Sequence, residues 1–281
     1  MHLLRRFLWL LIFSNIFIAF CAVAMVYQTY SLVIHQPPDN KLLYFVFFAT
    51  LSSYSFHWYL TSHSEVASVR IDWTNRHRYI HAILFFTGVI GTAFFFFSLI
   101  QHWFWLCLSA VITFLYSAPK IPQKHFRALR KVAVGKTIFL SFVWMYATTI
   151  LPVIISGKSW QADVILFVLS RFFLIYAICI LFDFRDRKDD KAAGIRSMVT
   201  WFSEKGIDTL FFLSLIAFAA TSLLLLRYGY SVKTVCFLLI PGILTGLFYK
   251  KGKRSLDDLF FYFLLDGLMM LSALLMIIFG M

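Results

Sequence analysis

The sequence predicts an all-α, polytopic membrane protein of about nine transmembrane helices, and three observations carry the prediction. Of the 281 residues, 61% are hydrophobic, 34 are Phe, and only 14% are charged. A soluble domain of this length needs a charged surface, so the composition calls for lipid as the solvent. The apolar runs also recur at the length a bilayer demands, about 20 residues per helix. Finally, the basic residues between those runs alternate from dense to sparse, as the two sides of a membrane require.

The runs place spans at 7–34, 41–61, 80–99, 103–117, 132–155, 163–182, 208–226, 234–249 and 259–280. The fourth and eighth are short. Only short connections remain, so residues 1–281 read as one membrane domain. Arg5 and Arg6 ahead of an apolar run ending near Ala22-Val23-Ala24 imitate a secretory signal. The run continues to Ile34, too long for such a signal, and a retained first helix is expected.

Most of the 26 Lys and Arg residues fall on the N-terminal side of the alternation. They include Arg70, Arg76 and Arg78, then Lys120, Lys124, Arg127, Arg130 and Lys131, then the run from Arg185 to Lys205, and Lys250 to Arg254. The opposite side holds Lys41, Lys158, Arg227 and Lys233. The positive-inside rule therefore puts the N-terminus and the larger loops in the cytoplasm; in a bacterium the membrane would be the plasma (inner) membrane. A basic face against anionic lipid explains the +13 net charge without nucleic acid.

The four cysteines lie inside spans and form no CxxC pair, which suits packing better than disulfides or zinc. Walker, GxGxxG and HExxH patterns are missing. Gly242 and Gly246 form a GxxxG pair in the eighth span, a signal for close helix packing.

The chemistry-bearing segment is DFRDRKDDKAAGIRS at 183–197, at the cytoplasmic end of the sixth span. Asp183, Asp186 and Asp190 are spaced i, i+3, i+7, so a continuous helix would put them within about 60° of one another. Three carboxylates on one stripe repel, and a cation is expected opposite. Such an oxygen cluster suits Mg²⁺, which takes one or two carboxylates plus phosphate oxygens and water. The same run also reads as a solvated, charged loop.

This motif strongly resembles the second aspartate-rich motif of the UbiA superfamily of intramembrane prenyltransferases. Asp186 and Asp190 match its D-x-x-x-D pair, Asp183 the Asn or Asp that often precedes it, and Gly194 the glycine that follows. LYSAPK at 115–120 is similar to the family's loop after helix 4, where a Tyr and a basic residue are common. The resemblance implies a UbiA-like helical bundle, with Asp183, Asp186 and Asp190 as ligands of Mg²⁺. It also implies a prenyl diphosphate donor and an aromatic or other lipophilic acceptor. Metal and basic residues would stabilise the departing diphosphate, and an aromatic cavity would shelter the carbocation. Arg127, Arg130, Lys131 and Arg171 are the candidate diphosphate contacts.

The chain departs from the family at its first motif. At the end of the second span stands YSFHWYLTSHSE at 54–65, which puts Ser55, Phe56, Tyr59 and His63 on the expected polar and acidic positions. Glu65 and Asp72 follow, as a displaced metal site or as partners of Arg70, Arg76 or Arg78. His57, His63, His77 and His81 cluster here, either facing a diphosphate or anchoring helix ends beside Trp58, Trp73 and Tyr79. Arg171 sits deep in the sixth span, where a charge costs about 2.5–3.5 kcal/mol on insertion scales. Asp266 in the ninth span is a candidate partner.

Three functions are compatible with these residues. The chain is a prenyltransferase, or a catalytically degenerate relative that binds lipid or a membrane partner, or a transporter with Arg171 and Asp266 on its pathway. The intact second motif favours the first, and the missing first motif favours the second.

Overall fold

The structure, a computed structural model, describes residues 2–61, 68–118, 135–192 and 198–280, with residues 2–5 as backbone alone. Every secondary-structure element among them is helical. The chain begins with α1 (His2–Phe13) and α2 (Ile16–Thr29), extended by a π-helical turn over Tyr30–Ile34. The sequence pattern reads 7–34 as one rod, but the chain breaks at Asn15, whose φ is 68°. Asn tolerates this left-handed conformation better than most residues. Its buried side chain is fixed by Arg70, whose Nη2 donates to Oδ1 at 2.6 Å. A partner 55 residues away decides the break, so local apolar periodicity carries no trace of it.

Side-chain caps set several later boundaries. Asp39 accepts the Lys41 N–H at 2.8 Å and starts α3 (Asn40–Tyr59). Ser68 accepts the Ile71 N–H and starts the short α4 (Val69–Arg76), after which the chain turns into α5 (Arg78–Ser98). Next come α6 (Trp103–Ser117) and α7 (Lys136–Met145), which passes through a π turn, Tyr146–Ile150, into Leu151–Ile155. The longest rod is α8 (Ala162–Ala192). Ser203 and Ser231 cap α9 (Glu204–Leu224) and α10 (Val232–Leu247) in the same way. A last π turn, Phe260–Leu265, leads into α11 (Asp266–Ile278). Such caps each contribute about 1 kcal/mol.

Seven of the described helical rods have the length and apolarity to cross a membrane. Two expected spans fall short of that standard. α10 has only 16 residues, and the second half of α3 carries Ser52, Ser53, Tyr54, Ser55 and His57. Nine spans is therefore an approximate count for an all-helical membrane bundle.

α8 is the central rod, buried over most of its length between α7 and α9. α2 packs on α3 and α11, and α3 lies along α5. Lipid tails are as apolar as Leu, so close backbone approach, more than burial, drives such contacts. Gly88 shows this: a Cβ there would stand 2.7 Å from the Ser52 backbone nitrogen. Gly242 packs against the Phe218 ring of α9, and Gly246 faces Leu215, as the GxxxG pair predicts. α5 and α6 leave Phe86, Phe94, Phe97 and Trp103 exposed on the outside, where lipid is the natural neighbour.

Candidate active site

The helix of the sixth span continues past its apolar part through Asp183, Asp186 and Asp190 to Ala192. The three carboxylates therefore share one face, and the cation expected opposite is present. Lys136, the first residue of α7, places Nζ 3.7 Å from Asp186 Oδ2 and 3.6 Å from Asp190 Oδ1. Its neighbour Thr137 donates its hydroxyl to Asp183. The Asp183 and Asp190 carboxylates are buried, while the Asp186 and Lys136 side chains keep some exposure, 37% and 26%.

A cavity of about 210 Å³ lies next to this group, between α3, α6 and α7. Its walls are largely apolar (Phe45, Val46, Phe56, Leu140, Val143, Trp144), with the Tyr54 hydroxyl accepting from Trp144 Nε1 at 3.1 Å. Tyr116 and Ser117 line its end nearest the carboxylates. Tyr116 lies within electrostatic range of Lys136, Asp183 and Asp186. His57 stacks on Tyr116 with ring centroids 5.5 Å apart and approaches the Ser117 hydroxyl at 3.5 Å. Lys136 stands four residues before the wall residue Leu140, which puts both on one face of α7. Lys136 and the motif aspartates do not line the cavity, and the wall residue Tyr116 is what links the two.

A second polar cluster closes the same end of the bundle. Arg185, between two motif aspartates, donates to Asp258 and to the Tyr262 hydroxyl. Asp258 also accepts the Arg70 backbone N–H at 2.9 Å and the Ser68 hydroxyl at 3.2 Å. The Arg70 guanidinium lies between Trp58 and Tyr262, 3.9 and 4.0 Å from their ring centroids. Burial pulls its pKa down to about 10, so it stays cationic at neutral pH. Each such desolvated cation–π contact stabilises by about 2 kcal/mol. Sequence reading put Arg70 and Arg185 in solvated basic loops. The missed signal was their position beside aromatic residues, Trp58 and Tyr262, that lie far apart in the chain.

The histidines fit into this scaffold. His81 is buried between Asn15 and Thr74, at 3.4 and 3.3 Å, and His77 stacks on Trp73. His81 joins α5 to α4 and to Asn15, while His77 packs on Trp73 of the helix whose end it caps. Asp72 is exposed, while Arg70 turns to Asp258 and Asn15. At the first-motif positions, Ser55 accepts from Asn15, Phe56 lines the cavity, and Tyr59 lies under Arg78. None of the three is acidic. Glu65, His63, Gly194, Lys120, Arg127, Arg130 and Lys131 lie outside the described residues.

Arg171 is not brought to the carboxylates. It is twelve residues from Asp183 along α8, about 18 Å at 1.5 Å per residue. Its guanidinium donates to the Met25 carbonyl at 3.0 Å, Gln28 Oε1 at 2.7 Å and Thr148 Oγ1 at 3.4 Å. The Asp266 partnership considered from sequence is not what holds it. Asp266 instead sits in the electrostatic field of Arg70 and Arg185.

Among the described residues, no group of three ligating side chains converges on one point. The donor set nevertheless fits Mg²⁺ in one respect. Asp186 and Asp190 already share one cation, and two carboxylates are what this ion takes from a protein when phosphate oxygens and water complete its shell.

The fold and site define an all-helical membrane bundle with an aspartate-rich helix end near an apolar cavity. The chain belongs to the UbiA prenyltransferase family, whose model matches residues 73–273. No curated protein and no solved structure matches it.

Proposed function

We propose that the chain transfers an isoprenyl group from a prenyl diphosphate to a lipophilic acceptor, an aromatic one among the candidates. The observation that carries this reading is the carboxylate face of α8, linked to the apolar cavity through the wall residue Tyr116. The isoprenyl chain lies along the cavity wall, where Phe45, Phe56 and Trp144 exclude water. The diphosphate lies at the Tyr116 end, within reach of Lys136. Arg127, Arg130 and Lys131 are proposed as further contacts from the adjoining loop. Asp186 and Asp190 would hold Mg²⁺, with Asp183, one turn deeper and bonded to Thr137, closing the same face. When bound, the metal supplies positive charge to the leaving diphosphate. The C–O bond breaks with its electron pair on the diphosphate, and the acceptor supplies the pair for the new bond and releases a proton. The N-terminus and the Asp-rich end are proposed to face the cytoplasm.

The test is binding and turnover of short and long prenyl diphosphates by the purified chain, with Mg²⁺ and with chelator. Metal-dependent binding with turnover is the expected result. Prenyl diphosphate bound but never turned over would favour the non-catalytic relative, a reading that the absence of carboxylates at Ser55, Phe56 and Tyr59 supports. Reporter fusions should signal cytoplasm after Ser203 and the opposite side after Ser159. A cytoplasmic signal at Ser159 would mean that the span count is wrong.

A further inference from the structure

We infer that Lys136 is a built-in counter-cation that keeps divalent metal off Asp186 and Asp190 until a diphosphate arrives, and then turns onto that diphosphate. The inference rests on the proposed prenyl diphosphate reading and adds an order of binding to it.

Four observations carry it. The ammonium bridges both carboxylates of the pair that would ligate metal, so metal and Lys136 compete for the same oxygens. The bridge is long, 3.6 and 3.7 Å, against about 2.7–2.9 Å for a close charge-assisted hydrogen bond. The Lys136 side chain is also 26% exposed, so packing does not lock it on every side. Finally, Lys136 shares a face of α7 with the cavity residue Leu140, and Tyr116 at the cavity's end lies in its electrostatic range. A lysine is a flexible point charge with three rotatable donors, suited to moving between anions as a rigid guanidinium is not.

The charge balance explains the order. With Lys136 in place, Asp186 and Asp190 carry one net negative charge between them, and Arg185 Nη1 stands 3.9 Å from Asp186. A divalent ion entering alone would either displace the ammonium or crowd against it. A diphosphate offers the ammonium a more highly charged partner within reach, which frees both carboxylates for the metal. No carboxylate stands at Ser55, Phe56 or Tyr59 to hold a metal independently.

The experiment measures Mn²⁺ binding to the full-length chain in detergent, followed by the paramagnetic signal of free Mn²⁺. The proteins are the parent, Lys136→Met, Lys136→Gln and Lys136→Met combined with Asp186→Asn. Without diphosphate, the parent should bind Mn²⁺ at least tenfold more weakly than either single variant, and the double variant should lose that gain. Parallel binding of geranylgeranyl thiodiphosphate, a non-reacting donor, should be weakened in the Lys136 variants at every Mn²⁺ concentration. Parent and Lys136 variants binding Mn²⁺ equally well would overturn the inference. So would a parent that binds Mn²⁺ as tightly alone as with the thiodiphosphate, a result that needs no variant to fold. If the variants gain Mn²⁺ affinity but no protein binds the thiodiphosphate, the metal-exclusion role stands and the prenyl diphosphate reading falls.

Discussion

Lys136 and Arg171 are both cations inside the helical bundle, and they are held in contrasting ways. Lys136 faces two carboxylates across gaps of 3.6 and 3.7 Å, partly open to solvent, beside a cavity. Arg171 is buried among neutral oxygens, with its shortest bond at 2.7 Å to Gln28. Gln28 in turn donates to Ser272 at 3.0 Å, so one guanidinium ties α8 to α2, α7 and α11. Loose charge pairing at an open end leaves a site that can exchange partners. A planar fork satisfied by fixed neutral acceptors leaves a clamp. The first region is where binding should happen, and the second is where the bundle is fastened.

The largest expected effect lies in the first region. Asp186→Asn and Asp190→Asn keep shape and a hydrogen-bonding oxygen but remove charge from the proposed metal site. Prenyl transfer should fall by about 10²–10³, the usual cost of one lost electrostatic contact to a leaving group. Asp186 is partly exposed, so its substitution should change stability by only about 0.5 kcal/mol. Asp189→Asn, off the stripe, should be milder in the same assay. Parental rates in all three variants would remove the carboxylates from the chemistry.

The acidic region was legible in the sequence to a degree that its surroundings were not. The spacing of Asp183, Asp186 and Asp190 fixes a shared face as soon as the helix is continuous, and their mutual repulsion calls for a cation. Which cation could not be read. Lys136 lies some fifty residues away, inside the predicted span 132–155. The helices announce themselves because a bilayer sets their length, and even the GxxxG contact of Gly242 follows from spacing. The break at Asn15, the burial of Arg70 and the Asp258–Arg185 link are all made by partners distant in the chain. Arg171 was recognised as an anomaly by depth alone, but its neutral partners Met25 and Gln28 carry no charge that would mark them.

The second region should fail differently. Arg171→Lys keeps the charge but loses the fork that reaches Met25 and Gln28 together. Both acceptors keep another donor, Thr29 Oγ1 for the Met25 carbonyl and Ser272 Oγ for Gln28 Oε1, so the loss is one hydrogen bond from a charged group, about 1.5–3 kcal/mol. The thermal midpoint in detergent should therefore drop, while prenyl diphosphate affinity at saturating Mg²⁺ stays within about twofold. An unchanged midpoint with a tenfold loss of affinity would make Arg171 part of the binding site and dissolve the contrast.

The smallest effect belongs to Thr148, the residue that touches both regions. Its hydroxyl donates to the Trp144 carbonyl at 2.6 Å, accepts from Arg171 at 3.4 Å, and its side chain lines the cavity. Thr148→Val keeps the volume and removes the oxygen. The bond to Arg171 is long, and the bond to the Trp144 carbonyl is local, within one turn of helix. The loss should sit near the low end of a net hydrogen bond, about 0.5 kcal/mol. If clamp and cavity are independent, that small loss appears in the melting curve and nowhere else. Prenyl diphosphate affinity and transfer rate would then match the parent within about twofold. A larger change in either, at an unchanged midpoint, would mean that the guanidinium is felt through Thr148 inside the cavity. Combining Thr148→Val with Arg171→Lys separates the two cases. Because the residues share a bond, their stability losses should sum to less than additive, whereas independent effects on binding would simply multiply.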